Sequence, residues 1–230
     1  GSEARSARKS RRGLVLGTLI LILGGGAAVA AIWYPRSRTK PGEIKQVGTA
    51  TARVLTYKLT VQRMRDGLPY QESFESSGQE IFENGWKFRM DFSSPQAGYL
   101  YLLNEGPSAG GAITYNLLFP APSVNSGSPL VKQDQDIQTG WVVFDEHPGV
   151  EKFWMVWAAD AVQELEAVKR FVNDKDKGAV SDAAQSNAVR DFLRRYSASK
   201  PDIEIDRTRK ESQVKANSAT LVNLIELEHH

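Results

Sequence analysis

The stretch "WKFRMDF" at residues 86–92 decides the fold class, because large apolar and charged side chains alternate along it without a break. Apolar residues occupy every second position, and the positions between them hold a lysine, an arginine and an aspartate. Successive side chains of a β-strand point to opposite faces, so this pattern predicts a strand with one face in a core and the other in water. Asn84-Gly85, a dipeptide typical of tight turns, precedes the strand.

Strand-like patterns recur on both sides of this stretch. They are found at residues 54–63, 98–106, 113–120, 140–146, 150–159, 202–207 and 219–228. A Gly/Pro/Ser-rich loop at 105–112 predicts that 98–106 and 113–120 form a hairpin. The turn His147-Pro148-Gly149 predicts that 140–146 pairs with 150–159. We expect the last strand to complete the sheet begun by 54–63, with charged turn material before it. Strands at this spacing indicate an antiparallel β-sandwich or a barrel-like domain.

Two amphipathic helices are predicted before the last strands. Residues 160–173 and 182–197 place apolar side chains on one helical face. Each begins with Asp-x-x-Gln, at Asp160 and Asp182. An N-cap aspartate accepts hydrogen bonds from early helix N–H groups, and the glutamine reaches back to the cap N–H. The sequence therefore predicts a mainly β domain with two inserted helices.

An uncharged segment of 22 residues, 13–34, precedes this domain. A helix of that length spans about 33 Å, enough for a hydrocarbon layer of about 30 Å. Trp33 and Tyr34 suit the headgroup boundary, and Pro35 ends the helix. We predict a transmembrane helix here, with the lipid bilayer as a partner. A cleaved signal peptide with Ala28-Val29-Ala30 as its processing site is the alternative.

Flanking charge predicts the orientation of this span. The tail at 1–12 carries five Lys and Arg residues, more than the three that closely follow the span, which favours a cytoplasmic N-terminus. Residues 35–52 are predicted to be a linker, and residues 53–228 an extracytoplasmic domain. Gly13 and Gly17 stand in the spacing that lets two helices approach closely, so a homodimer through the span is a further expectation.

Composition excludes several classes of function. After position 34 the chain holds 24 of its 29 Lys and Arg residues but 26 of its 27 Asp and Glu residues, so the globular part lacks the positive field of nucleic-acid-binding proteins. There are no cysteines and three histidines, namely His147, His229 and His230. The last two are either native or the remainder of a tag. We therefore expect no disulfide, no His-based triad and no zinc site.

Ser197 and Lys200 match the Ser-x-x-Lys pattern, in which a lysine activates a serine nucleophile. The pattern occurs often by chance, and here it follows a predicted helix, whereas the known arrangement begins one. A solvated helix end before Pro201 is the competing interpretation. We predict no catalytic residue, and a Ser/Lys hydrolase is kept as a remote alternative.

A short acidic loop at 174–178, "DKDKG", followed by Asp182, resembles part of a calcium-binding loop. Calcium prefers clustered carboxylate oxygens around a glycine turn. The loop lacks the third ligand and the terminal glutamate, and its two lysines oppose a bound cation. We therefore predict an interhelical loop with Asp182 as a helix cap, no metal ligands and no cofactor.

Aromatic residues are dense around the strand at 150–159. Trp141, Phe153, Trp154 and Trp157 fall within 17 residues, and Tyr99 and Tyr101 lie on a neighbouring predicted strand. Alternation places Phe153 and Met155 on one face of the sheet, and Trp154 and Val156 on the other. The second face is either covered by the two helices or exposed as an aromatic strip for a ligand. We expect the helices to cover it.

Four stretches carry a family resemblance, "GYLYLLNEGP", "LLFP", "GVEKFWMVWAADAVQELEAVK" and "NDKDKGAVSD". They resemble a bacterial domain-of-unknown-function family, number 4384, over about residues 53–228. The resemblance implies an extracytoplasmic module, which in that family often follows a cytoplasmic Ser/Thr kinase and one membrane helix. Elsewhere the module accompanies caspase-like peptidases or helical repeats. The family has no assigned catalytic residues, and this chain contains no kinase signature.

These observations predict a membrane-tethered, non-enzymatic sensory or ligand-binding domain. A receptor Ser/Thr kinase would place its catalytic part before residue 3. The partner is expected to be a small ligand or an envelope protein. A domain that docks a protein constitutively, as a scaffold of the cell envelope, is the alternative.

Overall fold

The computed structural model describes residues 52–107 and 113–230. Antiparallel strands dominate it, and two helices follow the eleventh strand. The helices are α1 (Gln163–Val168), extended by a 3₁₀ turn at Lys169–Phe171, and α2 (Ala183–Ser197). The strands are β1 (Arg53–Gln62), β2 (Met64–Arg65), β3 (Leu68–Pro69), β4 (Phe74–Ser76), β5 (Lys87–Ser93), β6 (Gly98–Pro107), β7 (Ile113–Phe119), β8 (Leu130–Val131), β9 (Ile137–Gln138), β10 (Val142–Val143), β11 (Gly149–Ala158), β12 (Asp202–Asp206), β13 (Glu211–Ala216) and β14 (Thr220–His229).

Two large sheets form the domain, and β2 and β3 pair with each other in a separate two-stranded sheet. The first has the order β10-β5-β1-β13-β12, with β4 and β9 pairing to β1 and β5. The second has the order β14-β11-β6-β7, with β8 pairing to β6. The alternation in "WKFRMDF" is confirmed, because β5 buries every second side chain. Both sheets contribute to one apolar core, an arrangement consistent with the predicted β-sandwich.

A second core lies between the outer face of the second sheet and the two helices. It contains Tyr101 and Val156 from the sheet, and Leu165 and Phe192 from the helices. The phenol of Tyr101 donates to Glu166 Oε1 at 2.7 Å and accepts from the backbone N–H of Val162 at 3.2 Å. The helices therefore cover the face that holds Trp154 and Val156, as the sequence predicted.

The first strand begins at a buried arginine. Arg53 is 6% exposed, and its guanidinium lies 4.6 Å from the ring centroid of Trp157. Its Nη2 donates to the carbonyls of Ala97 at 2.9 Å and Ala158 at 3.2 Å. Burial lowers the pKa of this guanidinium, and the charge of Asp160 partly offsets that effect. The start of β1 is thus fastened to the second sheet.

Predictions about strand pairing were wrong at two places. β14 pairs with β11 in the second sheet and does not complete the sheet of β1. The first half of β1 pairs with β13, which lies in the segment predicted to be turn material. β13 has one large apolar side chain, Val214, and so shows a weak pattern. Likewise β10 pairs with β5, not with β11, because β6 and β14 already occupy both edges of β11. The hairpin of β6 and β7 is confirmed.

The two helix starts differ. Asp182 is the N-cap of α2, and its Oδ1 accepts from the N–H of Gln185 at 2.9 Å. The Gln185 side chain does not reach back, because its Oε1 accepts from Arg170 at 3.0 Å instead. The cap predicted at Asp160 is wrong: α1 begins at Gln163, and Val162 stands at its N-cap without a side-chain bond.

The buried phenols predict a loss of stability at high pH. Burial, with help from the negative charge of Glu105, raises the pKa of Tyr115 to about 12, and burial also raises that of Tyr101. A free tyrosine titrates near pH 10, so the unfolded chain releases these protons first. Their contribution is complete below pH 10 and is lost as the pH rises towards 12.

Between pH 10 and 12 we expect the free energy of unfolding of the wild type, measured in urea, to fall by roughly 1–2 kcal/mol more than that of Tyr115→Phe. Circular dichroism at several pH values from 9 to 12 measures it. Wild type and variant falling in parallel would contradict the assignment.

Candidate functional site

The outer face of the first sheet is the main candidate for a binding surface. The helices pack on the second sheet, and the outward side chains of β1 and β5 are half-buried. These outward positions are polar or charged at almost every site, since alternation sends the apolar members inward. The set consists of Val54, Thr56, Lys58, Thr60 and Gln62 from β1, and Lys87, Arg89, Asp91 and Ser93 from β5.

A groove of about 580 Å³ lies on this face. Its floor is ordered by Asp91, whose two carboxylate oxygens accept from Thr60 Oγ1 and Gln138 Nε2, each at 2.7 Å. On one side Lys58 Nζ lies 2.6 Å from Glu75 Oε1. The groove therefore offers fixed donors and acceptors and charges of both signs. It is an open surface feature that suits an extended polar ligand.

Arg89 lines this groove together with Lys58. Its side chain makes no hydrogen bond or ion pair within residues 52–107 and 113–230, and its Nε is buried. The guanidinium lies 4.7 Å from the ring centroid of Trp141, which is 45% exposed. A buried donor without a partner costs free energy, so Arg89 is poised to donate hydrogen bonds to an oxygen atom of a ligand.

The aromatic residues that the sequence singled out do not form one strip. Phe153 and Trp157 are fully buried between the sheets. Trp154 packs against the helix-covered core and donates from Nε1 to Glu105 Oε2 at 2.6 Å. Tyr99 packs there too, and Tyr101 is buried. Trp141 alone of this set is exposed to solvent.

The Ser-x-x-Lys pattern lies at the end of α2. Ser197 is the last residue of the helix, and Lys200 is exposed in the loop after it. The structure places no hydrogen bond between these two side chains, both of which lie in the described part of the chain.

The acidic loop at 174–178 is ordered by its neighbour Asn173. Asn173 Oδ1 accepts from the N–H groups of Lys175 and Asp176, and its Nδ2 donates to the Asp176 carboxylate at 2.8 Å. These contacts form an interhelical loop and do not gather the carboxylates. Within the described ranges, potential metal ligands converge at a different place, where Asp145, Glu151 and His229 meet.

The sequence did not identify the groove residues as a site. The outward set of "WKFRMDF", with Arg89 and Asp91, was the available signal, but alternation by itself describes any half-buried strand. Gln138 and Trp141 come from later segments, and their approach to β5 depends on the short strands β9 and β10.

No protein-family model, no curated protein and no solved structure matches this chain. In the part of the chain that the structure describes, neither helix has the length and apolar character needed to cross a bilayer. The predicted tail, span and all but the last residue of the linker lie outside the described residues, as does the Gly13/Gly17 spacing.

Proposed function

We propose that residues 53–228 form a non-enzymatic, extracytoplasmic binding domain with a sensory role, tethered to a bacterial inner membrane, and that its ligand binds the open face of the first sheet. The observation that carries the proposal is Arg89, which lines the groove and whose buried Nε has no hydrogen-bond partner in the part of the chain that the structure describes. The 22-residue uncharged segment and the resemblance to the kinase-associated family support the membrane-bound, sensory part.

The ligand best suited to this face is an extended peptide segment with charges of both signs. Such a segment supplies a carboxylate or carbonyl oxygen for Arg89 and cationic groups for Glu75 and Glu211 at the groove. An open face also accommodates a chain better than a compact molecule, which binds in enclosed cavities.

Binding is tested with a library of short peptides containing both lysine and glutamate, added to the full chain in detergent. Fluorescence of the exposed Trp141 reports on occupancy. We expect Arg89→Gln to weaken binding at least tenfold, since a charge-assisted pair is lost. Arg194→Gln, an exposed arginine on α2, is the matched control and should bind as the wild type does. Equal affinity in both variants would refute this face as the site.

The sensory role requires that ligand binding changes the association of two chains in the membrane. Because the protein has no cysteine, Gly13→Cys or Gly17→Cys gives a single disulfide position in the predicted span. A bound peptide should change the yield of cross-linked dimer in membranes. If the protein stays monomeric both with and without peptide, signalling through this helix is contradicted.

A constitutive scaffold is the second candidate, and one observation favours it. The short edge strand β10 exposes Val143, and Trp141 directly precedes it; they are 51% and 45% exposed. An edge strand with exposed apolar groups is able to pair with a strand of another protein. That reading predicts loss of partner binding in Val143→Lys with peptide binding intact.

A further inference from the structure

Three side chains from separate segments meet at one end of the two sheets. Glu151 lies on β11, His229 on β14, and Asp145 in the loop between β10 and β11. Gly149 pairs with His229 and Glu151 with Leu227, so Glu151 and His229 are diagonal neighbours on one face. One ligand atom from each of the three lies within 4.8 Å of the others.

His229 is held in one orientation. It is 3% exposed, and its ring centroid lies 5.1 Å from that of Phe144. Its Nδ1 lies 2.7 Å from Asn84 Oδ1, and the Asn84 amide nitrogen donates to the Glu146 carbonyl at 3.4 Å. An amide oxygen only accepts, so Nδ1 carries the hydrogen and donates it. The lone pair of a neutral imidazole is then on Nε2.

Nε2 of His229 points at negative charge without a hydrogen bond. It lies 3.8 Å from Glu151 Oε1, and it has no hydrogen-bond partner in residues 52–107 and 113–230. A lone pair facing a carboxylate is repulsive unless a proton or a metal cation lies between them. The geometry therefore leaves a place for a positive charge.

The two carboxylates are each held by a neighbour outside the cluster. Glu151 Oε2 accepts from Asn104 Nδ2 at 3.0 Å, which leaves Oε1 turned to His229. Asp145 Oδ1 accepts from the N–H of His147 at 2.7 Å. Together with the Asn84–His229 bond, these contacts match the outer-shell hydrogen bonds that orient the ligands of metal sites.

We propose that Asp145, Glu151 and His229 bind a divalent transition-metal cation, with Zn²⁺ as the best fit. An imidazole with two carboxylates suits zinc, whereas calcium and magnesium prefer oxygen ligands alone. Ligands about 2.0–2.2 Å from a tetrahedral cation lie roughly 3.3–3.6 Å apart, so the 3.8 Å between Nε2 and Oε1 needs little adjustment. Asp145 lies on an exposed loop, and a shift of this loop brings its carboxylate to the cation.

The bound cation joins β11, β14 and the loop after β10. It stabilises the folded state, because the three ligands converge only when these segments are in place. The count of three histidines in the sequence had argued against such a site. That count left out the carboxylates that strand pairing brings to the buried His229.

The test uses the full chain, freed of metal with a chelator and carrying no affinity tag, titrated with zinc sulfate by calorimetry. We expect one zinc ion per chain and a higher melting temperature with zinc. Asp145→Asn and Glu151→Gln should each weaken binding at least tenfold. Glu146→Gln and His230→Gln, which change adjacent groups outside the cluster, are the controls and should bind as the wild type does.

Two results would overturn the proposal. Absence of zinc binding at 100-fold molar excess would show that the approach of His229 to Glu151 serves no metal. Equal binding by wild type and Asp145→Asn, with loss in His230→Gln, would mean attachment to surface histidines only. Arg89→Gln should bind zinc normally, so failure of the peptide site and failure of the metal site are distinguishable.

Discussion

Trp157→Ala is expected to lower the free energy of unfolding by about 3–5 kcal/mol, the range for removing a large buried aromatic side chain. Trp157 is fully buried between the two sheets. Its ring also lies against the guanidinium of Arg53, at 4.6 Å from the centroid. Truncation leaves a cavity and removes the aromatic partner of a buried cation. Urea unfolding of the full chain, followed by circular dichroism, measures the loss.

Trp141→Ala is the matched control for this prediction. Trp141 is 45% exposed, and its ring stacks with the guanidinium of Arg89. An exposed cation–π contact contributes about 0.5–1 kcal/mol, so the loss should stay near that value. Similar losses in the two tryptophan variants would show that the core between the sheets is not organised around Trp157.

Gly178→Ala is expected to cost about 2–4 kcal/mol, from a strained backbone and a steric clash. Gly178 has φ +89°, a conformation that residues with a Cβ rarely adopt. A Cβ at this position would overlap the Leu117 carbonyl oxygen. That backbone cannot retreat easily, because the Leu117 N–H donates to the Gly178 carbonyl at 2.9 Å.

Gly85→Ala separates the two contributions. Gly85 has φ +78°, but a Cβ there meets nothing within 4 Å. It should cost about 1 kcal/mol, the conformational part alone. Thermal unfolding of both variants compares them directly. If Gly178→Ala lost no more than Gly85→Ala, the close approach of this loop to β7 would be wrong.

The elements were more predictable from the sequence than their partners. Alternation in β1 and β5 depends on local burial, so it was visible along the chain. Strand pairing depends on which edges are free, and no local pattern shows that. β14 has the composition of a central strand and yet joins β11 at the edge of the second sheet.

The helix caps were also only partly predictable from local sequence. Asp160 and Asp182 stand in the same Asp-x-x-Gln pattern, but only Asp182 caps a helix. Near α1 the Tyr101 phenol, from a strand 61 residues earlier, accepts from the N–H of Val162. A long-range contact therefore replaced the local one, and the pattern alone gave no sign of it.

The candidate sites were the least predictable part. Arg89, Gln138 and Trp141 become neighbours through strand pairing across some fifty positions, as do Glu151 and His229 across a larger interval. Each residue is ordinary where it stands in the sequence. Their significance comes from a donor and a ring nitrogen that have no hydrogen-bond partner among the residues that the structure describes.

The anchoring of Arg53 has a mechanical consequence. β1 is flanked by β5 on one side and by β13 and β4 on the other, so a pull on its first residue loads several backbone ladders in shear at once. The side chain of Arg53 also donates hydrogen bonds to the carbonyls of Ala97 and Ala158, at the second sheet. A force applied along β1 at Arg53 is therefore distributed over both sheets.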